Sequence, residues 1–305
     1  VLKEGGAGFD CASSDEFGRV RGSDIIYANP CKSRQELYKA RDEHIKYTTF
    51  DTAAELAKIC ETIPDAKPIL RLHVDDKGGA RIPLNKKFGI PLKDIQAYHS
   101  CKYRIWGFAF HVGSDCTTPI AYQSAFDTVT EAYEVLKTSP TFIPETLDIG
   151  GGFSGSSSKD DLLRYMIAPV IKYRVTLLPF ERVIAEPGRF FAEEACSLRV
   201  PIIGRKTMPD GTEALTVDDS TYGTFSGVAH DDFVPTFTSS LTTPAIRYTI
   251  FGRTCDSADC IATNVWLPGT LQEGDVLEVP NIGAYSYASA SEFNGFPRPK
   301  IEVLN

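Results

Sequence analysis

A chain of 305 residues, 42% hydrophobic and 24% charged, can form one large α/β barrel or two domains. Its net charge of −8 argues against a nucleic-acid surface and mildly favours a cationic ligand. No apolar run approaches a membrane span, and Val1–Gly6 reads as a chain leaving a helix for a strand, not as a signal peptide.

Through the first two-thirds one theme recurs: a β-like run that ends in polar residues, then a helix-like stretch. The runs are Gly8–Ser13, Ile25–Pro30, Tyr47–Asp51, Ile69–Val74, Trp106–Gly113, Glu145–Phe153 and Val183–Phe191. Between them lie helical patterns such as Thr52–Ile59, with Asp51 or Thr52 able to cap. Such alternation predicts a parallel sheet wound by helices. A functional group after every strand favours a (β/α)8 TIM barrel over an open sheet. Seven strands are counted, so the first barrel strand is expected to precede Val1.

The last two runs organise the chain. Gly150, Gly151 and Gly152 free the backbone for unusual dihedrals, so their N–H groups can converge on an anion such as phosphate; a tight turn is the plainer alternative. Glu186 puts a carboxylate at the next strand end, with Gly188 for close approach and Arg189 as a charge. Beyond Phe191 the texture changes to alternating runs, Ser197–Ile203, Tyr248–Phe251 and Asp275–Val279, broken by turn signals at Pro209–Gly211 and Gln272–Gly274. The expected organisation is a barrel over 1–192 and an antiparallel β domain, sandwich or barrel, over 193–305.

The eight cysteines form no Cys-x-x-Cys pair and have no His cluster beside them, so no metal site is expected. Reduced thiols in the cytoplasm are the default for such a chain. Cys255–Asp256 stands out because a thiol beside a carboxylate, in the polar run from Gly252, is unusual for a core cysteine. A buried Cys next to a turn-forming Asp remains the simpler reading.

Taken in order, Phe9–Ser13, Tyr27–Lys32, Phe110–Ser114, Asp148–Phe153 and Ala185–Arg189 resemble the pyridoxal-phosphate-dependent basic amino-acid decarboxylases of the alanine-racemase-like fold, ornithine decarboxylases above all. Asp218–Phe225, Gly252–Asp259, Gly283–Tyr285 and Phe293–Phe296 continue the likeness nearly to the end. The resemblance implies pyridoxal 5′-phosphate as cofactor. Glu186 would face its pyridine nitrogen, with Arg71 as the partner of that acid, and His111 would stack on its ring. Ser114, Gly151, Gly152, Gly188, Arg189 and Tyr285 would hold the phosphate, and Asp10 and Glu16 would lie near the cofactor. By itself His111 reads as a core or capping residue and Tyr285 as a sandwich-core tyrosine.

The resemblance also implies that Cys255 protonates Cα once carbon dioxide has left, and that Asp256 and Asp219 bind the far amine of the substrate. It implies a homodimer whose active sites are shared through the Cys255 segment. Ornithine decarboxylases usually read Asn-Asp-Gly where this chain has Asp218-Asp219-Ser220, and the continuation looks more like members acting on arginine or on lysine and ornithine. Aspartate at 219 keeps ornithine ahead, giving putrescine and a place in polyamine biosynthesis. Diaminopimelate decarboxylases would need a cation where this chain has two acids. The family's cofactor-binding lysine lies on the first barrel strand, upstream of Phe9–Ser13, and no lysine here takes that position. A non-catalytic relative like the antizyme inhibitors is therefore a second expectation, although such a regulator has no need of Glu186, His111, Arg189, Asp219, Cys255 and Asp256 together. No nucleic acid and no membrane are expected as partners.

Overall fold

The computed structural model describes residues 2–304. It divides into two compact units, one of the residues up to Ser154 with Lys159–Pro187, the other of Gly155–Ser158 with the residues from Gly188 onward.

The first unit carries β1 (Phe9–Asp10), β2 (Ile25–Tyr27), β3 (Tyr47–Phe50), β4 (Lys67–Arg71), β5 (Ala80–Ile82), β6 (Ile105–Ala109), β7 (Ser114–Cys116), β8 (Phe142–Asp148) and β9 (Arg182–Ile184). Seven of them form one sheet in the order β1-β2-β3-β4-β6-β8-β9. Every pairing in it is parallel. β5 and β7 pair apart from it, antiparallel. All seven expected runs supply a strand, each shorter than its run because the polar tail leaves the ladder. Among the described residues β1 and β9 are the sheet edges and no strand joins them, so the expected eight-stranded barrel is present only as these seven strands.

Of helices α1 (Ser14–Arg19), α2 (Arg34–Asp42), α3 (Ala53–Thr62) and α4 (Pro119–Leu136), the last three start where short polar side chains take up free N–H groups. Ser33 accepts from Glu36 N, Thr52 from Glu55 N and Thr118 from Ile120 N. Of the two candidates before α3, Thr52 is therefore the cap, while Asp51 accepts from Gly89 N at 3.0 Å. On α4 the residues Ala121, Tyr122, Ala125, Phe126, Val129, Ala132 and Leu136 make one buried stripe at helical spacing.

Strand alternation decides what faces where. Tyr27, Phe50, Leu70, Phe108 and Leu147 join the large core shared with the helices. Their neighbours Ile26, Ile69 and Ala109, with Ala28, form a separate small cluster, against which Tyr47 and Ile184 pack. Functional groups extend this second set toward the strands' C-terminal ends.

The second unit is a five-stranded sheet in the order β13-β12-β11-β10-β14. Its strands are β10 (Leu198–Thr207), β11 (Glu213–Val217), β12 (Ala245–Phe251), β13 (Cys260–Pro268) and β14 (Val276–Val279), over a core that includes Val200, Leu215, Phe225, Tyr248, Ile250 and Leu277. The expectation of a purely antiparallel domain needs correcting, because β11 and β12 run parallel, Leu215 opposite Ile250. A tight hairpin cannot join parallel strands, and the long excursion from Asp218 to Pro244 brings the chain back to the same end. All eight cysteines are unbridged.

Candidate active site

The second face of the parallel sheet builds a charged cluster from the strand ends. Register sets Arg71 opposite Ala109, Ala109 opposite Asp148, and Asp148 opposite Ile184. Two residues beyond Ile69, Ala109 and Ile184, alternation gives Arg71, His111 and Glu186. Asp10 ends β1, where its Oδ1 accepts from Ala28 N at 3.3 Å, and Glu16 nearby accepts from Ala12 N at 2.6 Å.

Three carboxyls in so small a space cannot all ionise. Burial pushes Glu186 well above the ordinary glutamate range, and Asp148 and Asp10 push it further. Asp148, fully enclosed, is raised by the same desolvation although Gly150 N donates to it at 2.9 Å. Asp10 reaches solvent at the sheet edge, yet desolvation by surrounding protein and then the Asp148 charge lift it to about 7. Arg71 opposes the rise in all three. His111 moves the other way: burial, then Arg71, lower it to about 3, so the imidazole is neutral, with Nδ1 accepting from Gly113 N at 3.0 Å.

The glycine run wraps this cluster. Gly150 and Gly152 have φ of +63° and +101°. A Cβ on Gly150 would lie 2.3 Å from Phe110 O, one on Gly151 2.6 Å from Glu186 O and 3.0 Å from His111 Nε2, and one on Gly152 2.5 Å from Gly113 O. Backbone bonds lock the turn, Glu186 N to Gly150 O at 2.8 Å and Cys116 N to Gly152 O at 2.7 Å. Ser114 begins β7, opposite Ile82.

The other expected site residues belong to the second unit. A Cβ at Gly188 would meet no protein atom within 4 Å, so internal packing does not demand glycine there. The Arg189 guanidinium pairs with Asp231 at 2.5 Å and lies 4.9 Å from the centre of the Tyr285 ring. Tyr285 is 58% exposed at a φ of +51°, which is not the setting of a core tyrosine.

Cys255 and Asp256 sit on the loop between β12 and β13. Cys255 is exposed, so the plain reading as a core cysteine fails; its Sγ lies 3.7 Å from Asn294 Oδ1. Tyr222 donates its hydroxyl proton to Asp256 at 2.5 Å and Ala258 N donates at 2.9 Å, which hold that carboxyl below the usual aspartate range. The Tyr222 ring stacks on Phe293 at 4.3 Å. Asp219 is buried, its Oδ1 accepting from Ser220 N and Thr224 N at 2.7 and 3.0 Å. Sequence reasoning passed over Asp148, although its place at a strand end before three glycines was a usable signal. It also passed over Tyr222, which no local pattern marks.

Residues 1–193 match the family model described as pyridoxal-dependent decarboxylase, pyridoxal binding domain. The chain belongs to this decarboxylase family. This member of the family is 36% identical over 333 residues to antizyme inhibitor 2 of Xenopus laevis, covering 99% of this chain and 71% of that protein. It is 34% identical over 325 residues to ornithine decarboxylase of Mus musculus, covering 97% and 70%. A solved arginine decarboxylase of Paramecium bursaria Chlorella virus superposes with a TM-score of 0.88 at 33% identity, covering 97% of this chain and 83% of that one.

The cofactor of this decarboxylase family is pyridoxal phosphate, and the residues present fit it. Glu186 Oε1 is buried with no hydrogen-bond partner, beside a neutral imidazole and a glycine turn whose Cβ positions are blocked. A carboxyl cluster rich in protons suits a ring nitrogen that has to stay protonated.

Proposed function

We propose that the chain catalyses decarboxylation of a basic amino acid, L-ornithine ahead of lysine and arginine, as a homodimer. The observation that carries this reading is the buried, unpartnered Glu186 Oε1 within the Asp10, Asp148 and Glu186 cluster. Bound there, pyridoxal phosphate supplies an electron sink for the pair left on Cα when carbon dioxide departs.

In this proposal Glu186 holds a proton at the ring nitrogen, and Asp148 and Asp10 keep that proton from being lost. His111, neutral by burial, offers a flat uncharged face to the ring, and Arg71 limits the negative charge of the cluster. Ser114, Gly151, Gly152, Gly188, Arg189 and Tyr285 would hold the phosphate through backbone N–H groups, hydroxyls and one guanidinium. Asp256, kept ionised by its two donors, would take the far ammonium of the substrate, with Asp219 beside it. Cys255 Sγ would deliver the proton to Cα. The loop carrying Cys255 would serve the active site of the partner subunit.

The likeness to antizyme inhibitor 2 supports a second reading, a regulator without activity. One experiment separates them. The purified full-length protein is scanned for a visible absorbance band bleached by borohydride, and carbon dioxide release is assayed on ornithine, lysine and arginine side by side. A bleachable band with release, fastest on ornithine, supports the proposal. No band and no release would refute it.

A further inference from the structure

The loop that bears Cys255 and Asp256 lies between strands, outside any ladder, yet one side chain fixes it. Asp259 is 1% exposed. Its Oδ1 accepts from Thr221 N at 2.8 Å and Thr221 Oγ1 at 2.9 Å. Its Oδ2 accepts from Thr254 N at 3.1 Å and Thr254 Oγ1 at 2.7 Å. Thr254 directly precedes Cys255, and Thr221 lies two residues past Asp219. A single carboxylate thus spans two loops and gives one oxygen to each.

The surroundings are built for that role. Gly252 N donates to Asp259 O at 2.9 Å, and a Cβ on Gly252 would stand 2.2 Å from the carboxylate, so only glycine admits it. Arg253 N donates to Asp219 O at 2.9 Å and Asp259 N to Asp256 O at 3.1 Å, which adds two backbone ties across the same junction. A carboxylate buried this far persists only when its lone pairs are met, and four donors meet them here.

We infer that Asp259 is a positioning residue that fixes the Cys255–Asp256 loop on the Thr221 turn, and with it the placement of Asp256 for the far ammonium, and so selects which diamino acid fits. The inference rests on the decarboxylase reading. Asparagine in its place would turn an NH2 toward one threonine pair and release one loop.

The test uses the full-length holoenzyme and Asp259→Asn. The KM for ornithine should rise about tenfold and the preference for ornithine over lysine should shrink. In an Asp256→Ala background, Asp259→Asn should raise KM no further, since its effect acts through Asp256. An unchanged KM, or a penalty that adds in full to that of Asp256→Ala, overturns the inference. Hydrogen exchange gives a readout independent of activity. The amides of Thr221, Thr254 and Ala258 should exchange at least about tenfold faster in Asp259→Asn, with the β-strand amides unchanged. Thr254→Ser should keep the protection that Thr254→Val loses. Unchanged exchange overturns the tie between the loops whatever the activity, whereas a wild-type protein inactive on all three amino acids overturns the decarboxylase reading instead.

Discussion

Replacing Glu186 with glutamine tests the charge cluster without needing any cofactor. Burial and two neighbouring carboxyls raise Glu186 well above its ordinary value, so the folded protein keeps this proton at pH values where the unfolded chain has lost it. The native state then binds one proton more than the unfolded state, and stability falls as pH rises, by about 1.4 kcal/mol per pH unit. The contribution is fully present below about pH 4 and is lost as pH climbs toward the raised folded value. His111, lowered to about 3, gives an opposite slope below about pH 6.5, but it does so in both proteins and cancels in their difference. Asp115 and Glu145, lowered by their lysine partners, act only at acid pH below the window. Urea unfolding of the cofactor-free protein at half-unit steps from pH 5 to pH 7 should show the variant gaining on wild type as pH rises, by at most about 1.4 kcal/mol per unit. Parallel stability curves would mean that Glu186 is ionised in the folded chain, and the argument for a proton-rich cluster would fail.

Three further outcomes follow from the same geometry. Cys255→Ala should leave the cofactor band intact while amine production from ornithine drops or the product proton arrives elsewhere; normal putrescine output in deuterated water would refute the role. Asp256→Ala should raise the KM for ornithine by about ten- to a hundredfold with a smaller effect on kcat, because an ammonium would be left without its counter-charge. Gly152→Ala adds a Cβ 2.5 Å from Gly113 O at a φ of +101°, so it should cost about 2 kcal/mol or more and weaken cofactor retention. A melting temperature equal to that of wild type would contradict it.

How far the sequence could be read depended on whether the signal was local. Strand ends announced themselves, because an apolar run that breaks into Asp-Ile-Gly-Gly-Gly or Glu-Pro-Gly-Arg has few other uses. Alternation then placed Arg71, His111 and Glu186 two residues past apolar positions on the sheet's second face. The cap of α3 could not be chosen in advance, since Asp51 and Thr52 are equally able to cap; Gly89, far along the chain, claims Asp51. The parallel pairing of β11 with β12 was hidden because strand direction depends on where a long connection returns, which no periodicity records. Asp259 was silent for a related reason: its four donors come from two separated loops, and a lone aspartate in a turn looks like any other.

Strand order in the two units has a kinetic consequence. In the parallel sheet four of the six pairings join consecutive strands with a helix between them, as with Ile26 and Tyr47 or Thr49 and Ile69, so much of its growth can proceed one βα step after another. The five-stranded sheet joins two local hairpins, closed by Thr207 with Glu213 and Phe251 with Cys260, to one long closure. Its first strand waits for its last, Leu198 for Val279, before the edge beside β10 is satisfied. During synthesis that edge stays bare until nearly the whole unit has been made, and there an unassisted chain is most exposed to pairing with a stranger.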